Sequence, residues 1–225
     1  MKNRRIVIDP EKPLPAELSK EYWETFAKLI LEHFFPEKFY DLSVDDEKPD
    51  LRNISTDIGI EVTSVEDEKS REIDSLYTRQ YTYGNDAQKE KALKCIKELG
   101  GKPKEFFLMH PVVNRDIGEI FTAVKTKTQK LNKDYQVFGE NDLFIFDTNI
   151  ILDAELPEIL NNIAINSVGN KSFNNIYIYC FGGDLYKFDI LHKKYKHIEK
   201  SDKIVQQLAI DARQMLIEKY SDDII

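Results

Sequence analysis

The sequence predicts an α/β protein built on a central mixed β-sheet flanked by helices. Three observations carry this reading. Segments with helical spacing of apolar residues alternate with short apolar runs of strand length. One of those runs, Asp142-Leu143-Phe144-Ile145-Phe146-Asp147, is apolar throughout and bounded by acids, as a strand buried on both faces would be. A further pair of apolar runs, Ile176–Phe181 and Leu185–Ile190, is joined by Gly182-Gly183-Asp184, which is hairpin chemistry. Helices and strands are interleaved along the chain, so a layered α/β architecture follows, closed by a C-terminal hairpin and helix.

The elements are expected in this order. Glu17 to Phe35 is a helix, with Leu18, Tyr22, Phe26, Leu29, Ile30 and His33 on one side and Pro36 as its stop. Asp41 to Lys48 is polar and acidic and reads as a loop or an irregular first strand. Asp50 to Thr63 is a hairpin: Asp50 opens a short extended segment, 51–58 reads as strand, turn and second strand, and Ser55-Thr56-Asp57 supply the turn. Val65 to Leu99 is helix-prone, with a break near Tyr83-Gly84-Asn85-Asp86 and a helix stop at Gly100-Gly101. Glu105–Met109 is a strand ended near His110-Pro111. A helix covers Ile117 to Tyr135, the buried strand covers Asp142 to Asp147, and a short helix lies around Pro157–Ile165. The last helix runs from Asp202 to Tyr220, with Ser201 as its N-cap.

A chain of 225 residues suits a single domain spanning 1–225. No apolar run has the length of a membrane span. The first ten residues are basic with too short an apolar stretch for a signal peptide, and Cys95 and Cys180 read as reduced core thiols. Cytoplasmic localisation is the expectation. The net charge of −8 argues against a surface coated in positive charge. Lysines nonetheless cluster at 89–104, 125–133 and 193–200; these are solvated faces or, taken together, a binding surface.

The hairpin carries the chemistry. Counting back from the turn places Asp50 opposite position 61, 62 or 63, depending on turn length. Glu61 and Thr63 project to one face of their strand, Ile60 and Val62 to the other. Glu61 stands among Ile58, Ile60 and Val62, where a lone carboxylate needs a partner or a metal. Two carboxylates brought together repel unless a cation lies between them. His192 and His197, five apart with no cysteine pair, are weak candidates for zinc.

Pro49-Asp50, the hairpin, and Glu61-Val62-Thr63 on an apolar strand resemble the PD-(D/E)XK nuclease superfamily. The resemblance covers about half of the chain. It implies a restriction-endonuclease-like core in which helix 17–35 precedes the hairpin, helix 117–135 and strand 142–147 follow it, and 65–114 is inserted. It implies Mg²⁺ (or Mn²⁺) held by Asp50, Glu61 and the Val62 carbonyl, and phosphodiester hydrolysis by metal-activated water. Nucleic acid would be the partner, DNA ahead of RNA; a homodimer is plausible by analogy, and no membrane is involved.

The family's lysine stands two residues after the Glu, where this chain has Thr63. A hydroxyl brings no positive charge to the scissile phosphate. In some family members the lysine has moved to a neighbouring helix, and helix 117–135 is the candidate source. About its buried stripe of Ile117, Ile120, Phe121, Val124, Leu131 and Tyr135, Lys127 lies roughly 65° from the centre and Lys125 roughly 95° on the other side. Lys127 is therefore favoured, with Lys130 and Lys125 behind it. A first-helix Glu can also contribute in this family; among Glu21, Glu24 and Glu32, Glu21 ranks slightly ahead by its position near the apolar face. The alternative is a catalytically inactive nuclease-like binding module, an immunity or regulatory partner protein, to which Thr63 and the acidic charge point.

Overall fold

In the computed structural model, alternating apolar runs pair into one seven-stranded sheet. The structure describes residues 8, 14–44, 48–65, 68–79, 85–103, 108–109, 117–133, 135–148, 150–167, 169–180, 184–199 and 202–221. The expected break at Tyr83-Gly84, most of the strand at 105–109, His110-Pro111, the Gly182-Gly183 turn and the Ser201 cap lie outside them. The chain falls into two compact units, one of 23–65 and 114–208, the other of 1–22, 66–113 and 209–225.

The first unit contains the sheet. Its strands are β1 (Ser43–Val44), β2 (Leu51–Asn53), β3 (Ile58–Val65), β6 (Glu140–Asp147), β7 (Asn175–Cys180), β8 (Leu185–Asp189) and β9 (Lys194–Ile198), adjacent in that order. The β3–β6 and β6–β7 pairs are parallel and the remainder antiparallel, so the sheet is mixed. The parallel strands are covered on both faces, as their unbroken apolar runs require. Register sorts their side chains. Leu143 and Ile145 lie beside Ile176 and Ile178 and pack under helices α4 (Gly118–Leu131) and α5 (Leu156–Asn166), against Ile120, Val124, Leu131, Ile159 and Ile163. Phe144 and Phe146 lie beside Tyr177 and Tyr179 on the opposite face, under helix α1 (Ser19–Phe34) and the turn after it. There Trp23 meets Phe146 at 4.9 Å between ring centroids, Phe26 meets Tyr179 at 5.8 Å, and Phe35 meets Tyr177 at 5.1 Å. Tilted and edge-on aromatic contacts of this kind add to area burial.

The hairpin turn is built by its own side chains. Asn53 Oδ1 accepts from Ser55 Oγ at 2.6 Å and from the Thr56 N–H at 3.2 Å, and Asp57 closes the turn at φ 55°. Leu51 pairs with Ile60 across the hairpin. Gly59 is required by crowding: a Cβ there would lie 2.6 Å from Phe138 Cδ2 and 2.7 Å from Pro49 Cγ.

The second unit holds α2 (Glu68–Arg79), α3 (Asp86–Glu98) and a two-stranded sheet of β4 (Lys102–Pro103) and β5 (Leu108–Met109) around Ile73, Tyr77 and Ile96. Asn85 caps α3, accepting from the Gln88 N–H. Within this unit Glu21 accepts from Lys219 Nζ at 2.5 Å and from Tyr220 OH at 2.7 Å.

Three expectations differ from these elements. The helix expected to reach Tyr135 ends at Leu131, where Asn132 turns its Nδ2 back to the Thr128 carbonyl. Strand β9 was not expected: Lys194, Lys196 and the half-exposed ends read as a solvated polar run, which is how an edge strand avoids pairing with other chains. Cys95 and Cys180 are both free thiols, and Cys180 alone is fully buried. No described helix is long and apolar enough to cross a membrane.

Gly59→Ala is expected to lower unfolding free energy by about 1–3 kcal/mol, because the Phe138 and Pro49 rings must both yield to the new methyl. Urea denaturation followed by circular dichroism measures it; an unchanged midpoint would show that the two rings yield freely.

Candidate active site

The β2–β3 register fixes the first fact of the site. With Leu51 opposite Ile60, Asp50 falls opposite Glu61. Both side chains are about 1% exposed. Asp50 Oδ2 accepts the Val62 N–H at 2.9 Å. The Val62 N–H and C=O point to the same edge of an extended strand, so its carbonyl also faces the Asp50 side.

Lysines answer this buried negative charge. Lys127, from α4, donates to Glu61 Oε1 at 2.6 Å. Lys48, just before the hairpin, donates to Asp50 Oδ1 at 2.5 Å and to Glu61 Oε1 at 3.0 Å. Tyr135, four residues beyond the end of α4, donates its hydroxyl to the same Oε1 at 2.7 Å. Three donors thus converge on one oxygen. Glu61 Oε2 is buried and accepts no hydrogen bond among the described residues. Burial alone would raise the Asp50 pKa, but its hydrogen bonds with Lys48, with the Glu24 carboxyl group and with the Val62 N–H hold it below the ordinary carboxylate value. Burial pulls the Lys48 ammonium down, and the Asp50 and Glu61 charges outweigh it and leave its pKa raised.

The residues singled out in the sequence fare unequally. Asp50, Glu61, Val62 and Lys127 come together. Lys130 and Lys125 do not: both are exposed on α4, whose buried positions are Ile120, Val124, Thr128 and Leu131. Thr63 stands two residues beyond Glu61 and pairs with Ile145, so the position of the family's lysine holds a hydroxyl. Of the α1 acids, Glu24 rather than Glu21 reaches Asp50. Glu24 is 5% exposed, whereas Glu21 is engaged by Lys219 and Tyr220, and Glu32 by Lys28 and the Leu42 N–H. The apolar stripe misjudged this because α1 buries Glu24 and Thr25 along with Phe26, Ala27, Ile30 and Leu31, a broader face than apolar residues alone mark. Lys48 and Tyr135 were missed as site residues. Lys48 precedes the hairpin across a bend, so strand alternation does not place its side chain and no sequence signal marked it. None marked Tyr135 either, since its position depends on where α4 stops.

Neither family models, nor curated proteins, nor solved structures match this chain. What the site can do is therefore argued from its geometry.

A second charged cluster lies on the opposite face of the sheet. Lys38, in the turn after α1, donates to Glu140 Oε1 at 2.5 Å, Asp142 Oδ2 at 2.7 Å and Tyr177 OH at 3.2 Å. Asn175 donates its N–H and Nδ2 to Asp142 Oδ1 at 2.8 and 2.9 Å. Burial pushes the Asp142 carboxyl up to about 6, against the pull of Lys38. The cluster ties the turn after α1 to the start of β6 and β7. His192 and His197 face aspartates: Asp189 for the first, Asp153 and Asp184 for the second. Among the described residues no group of three or more His, Cys, Asp or Glu side chains is placed to hold a metal ion.

Asp142 predicts a pH dependence. Its folded pKa lies above the ordinary 3.8, so the folded state takes up the proton more readily than the unfolded chain. Stability contributed by the protonated form is full below about pH 4 and is lost as pH rises to about 6. Asp142→Asn removes this loss. The stability of the variant relative to wild type should rise across that window and level off above it, in urea titrations at several pH values. A flat difference would show that Asp142 ionises at its ordinary value.

Proposed function

We propose that this protein is a Mg²⁺-dependent nuclease with a PD-(D/E)XK-like core, hydrolysing phosphodiester bonds in nucleic acid, DNA ahead of RNA. One observation carries the reading: an ammonium from α4 meets Glu61 beside Asp50, supplying from a helix the charge that Thr63 lacks. Support also comes from the topology, in which the β2–β3 hairpin is followed by α4 and a parallel β6 alongside β3.

The donor set suits the metal. Asp50 and Glu61 present oxygens that converge on one cation, Glu61 Oε2 is buried and has no partner among the described residues, and the Val62 carbonyl lies on the same edge. Two carboxylates, a carbonyl and water make an all-oxygen shell, and Mg²⁺ commonly binds through one or two carboxylates while keeping several waters. Bound there, Mg²⁺ or Mn²⁺ would supply an ionised water and neutralise charge on the phosphate. The chain's own groups do the rest. Asp50 is held ionised by its hydrogen bonds, ready to bind a cation without losing a proton first. Glu61 is fixed in orientation by Tyr135 and Lys127. The Lys127 ammonium, 15% exposed, is positioned to hold the attacking water and to offset charge as it develops on phosphate. A homodimer, cutting both strands, accords with the resemblance.

A second reading is a nuclease-like binding module with catalysis lost, an immunity or regulatory partner protein. Lys48 lying between the two carboxylates favours it, since a lysine-filled cleft is neutral without metal.

Plasmid DNA and a structured RNA, each incubated with the protein and Mg²⁺ or Mn²⁺, separate the two. Wild type should cut, Asp50→Ala should not, and Lys127→Met should be slower by about 10²–10³-fold. If wild type and Asp50→Ala leave every substrate equally intact, the binding-module reading takes its place.

A further inference from the structure

The cleft already contains a cation of its own. Lys48 Nζ lies 2.5 Å from Asp50 Oδ1, 3.0 Å from Glu61 Oε1 and 5.9 Å from the centre of the Tyr135 ring. It therefore occupies the point on which the oxygens of both carboxylates converge. Lys127 reaches Glu61 alone. The two lysines also differ in setting. The Lys48 side chain is 36% exposed and that of Lys127 15% exposed. Lys48 thus reaches in on a flexible four-carbon stem that is the more open to solvent, and Lys127 comes from α4 and is the more enclosed.

Two negative charges facing each other in a buried position repel, and the ammoniums of Lys48 and Lys127 offset them. A single ammonium has three donors, and here none of them goes to Glu61 Oε2, which is buried and accepts no hydrogen bond among the described residues. A divalent cation brings two charges where Lys48 brings one, and an ion held by Glu61 can engage that oxygen.

We propose that Lys48 is an internal counter-cation that competes with the catalytic metal: it neutralises Asp50 and Glu61 in the metal-free protein, and a divalent ion enters by displacing it. The inference rests on the metal reading of this cleft. Displacement turns the Lys48 ammonium outward, to the side from which an anionic phosphate approaches, so the residue that guards the empty site becomes a substrate contact. The exchange puts two positive charges where Lys48 put one, which readies the cleft for an anionic phosphate. It also raises the divalent-ion concentration needed to fill the site above what two free carboxylates would need.

Calorimetric titration with Mn²⁺ alone tests this on wild type, Lys48→Met, Lys48→Arg and Glu61→Gln. Lys48→Met should bind Mn²⁺ at least about tenfold more tightly than wild type, and Lys48→Arg, which keeps the charge, should not. In thermal melts Lys48→Met should unfold below wild type without metal and gain more from saturating Mn²⁺. Equal affinity in wild type and Lys48→Met, with binding lost in Glu61→Gln, would overturn the counter-cation and leave the metal site standing. No Mn²⁺ binding by any of the four would overturn both. A measurement on wild type covers the case in which Lys48→Met does not fold. Acylation of the Lys48 amine, read by peptide mass spectrometry, should rise when Mn²⁺ is added; labelling unchanged at saturating Mn²⁺ overturns the proposal.

Discussion

Everything at this site depends on the register of one short hairpin. Leu51 pairs with Ile60, and that single pairing sets Asp50 against Glu61. A slip of one residue would turn Glu61 away from α4 and bring Ile60 or Val62 to the acid. The register is held locally from both ends. Asn53 organises the turn, and Gly59 lets Pro49 and Phe138 close over the strand where any side chain would hold them apart. Once the two carboxylates face each other inside the protein, their charge must be met, and the positions of Lys48, Lys127 and Tyr135 follow from that need.

The sheet divides its polar chemistry between its faces. Alternation along β3 and β6 sends Glu61 toward α4 and Asp142 toward α1, so each acid meets a lysine from a different element. The two clusters differ in what they leave open. Around Asp142 both carboxylate oxygens are engaged, by Lys38 and by Asn175, and the network reads as a tie between a turn and the sheet. Around Glu61 three donors crowd one oxygen and none serves the other. An incompletely satisfied buried carboxylate costs stability, and such breaches of local consistency gather where a protein binds something.

Much of this was legible in the sequence. The hairpin, the apolar strand at 142–147, the C-terminal pair of strands and the long helices follow from periodicity and turn chemistry. Lys127 was legible too, because its angle from the apolar stripe of α4 placed it at the border of the buried face. Lys130 ranked behind Lys127 because its angle points it further into solvent, and it is exposed. Three residues along a helix carry a side chain about 60° around the axis, enough to move it off the sheet. Glu24 was ranked below Glu21 because apolar residues alone underestimate how wide a helix face is buried against a sheet. Strand β9 was missed because an edge strand carries few apolar residues.

The sequence by itself determined the elements and which side of each strand a residue takes, because backbone periodicity and turn residues act over a few positions. It also limited the partner of Asp50 to position 61, 62 or 63, and the Leu51–Ile60 pairing then selected Glu61. Only the tertiary structure decided which cations would answer them. Lys127 lies 66 residues from Glu61, and Tyr135 lies 74 residues away. Their approach depends on α4 packing across β3 and ending at Leu131, choices set by the whole core rather than by any local stretch. The same holds for Glu24, whose burial is fixed by the sheet beneath α1.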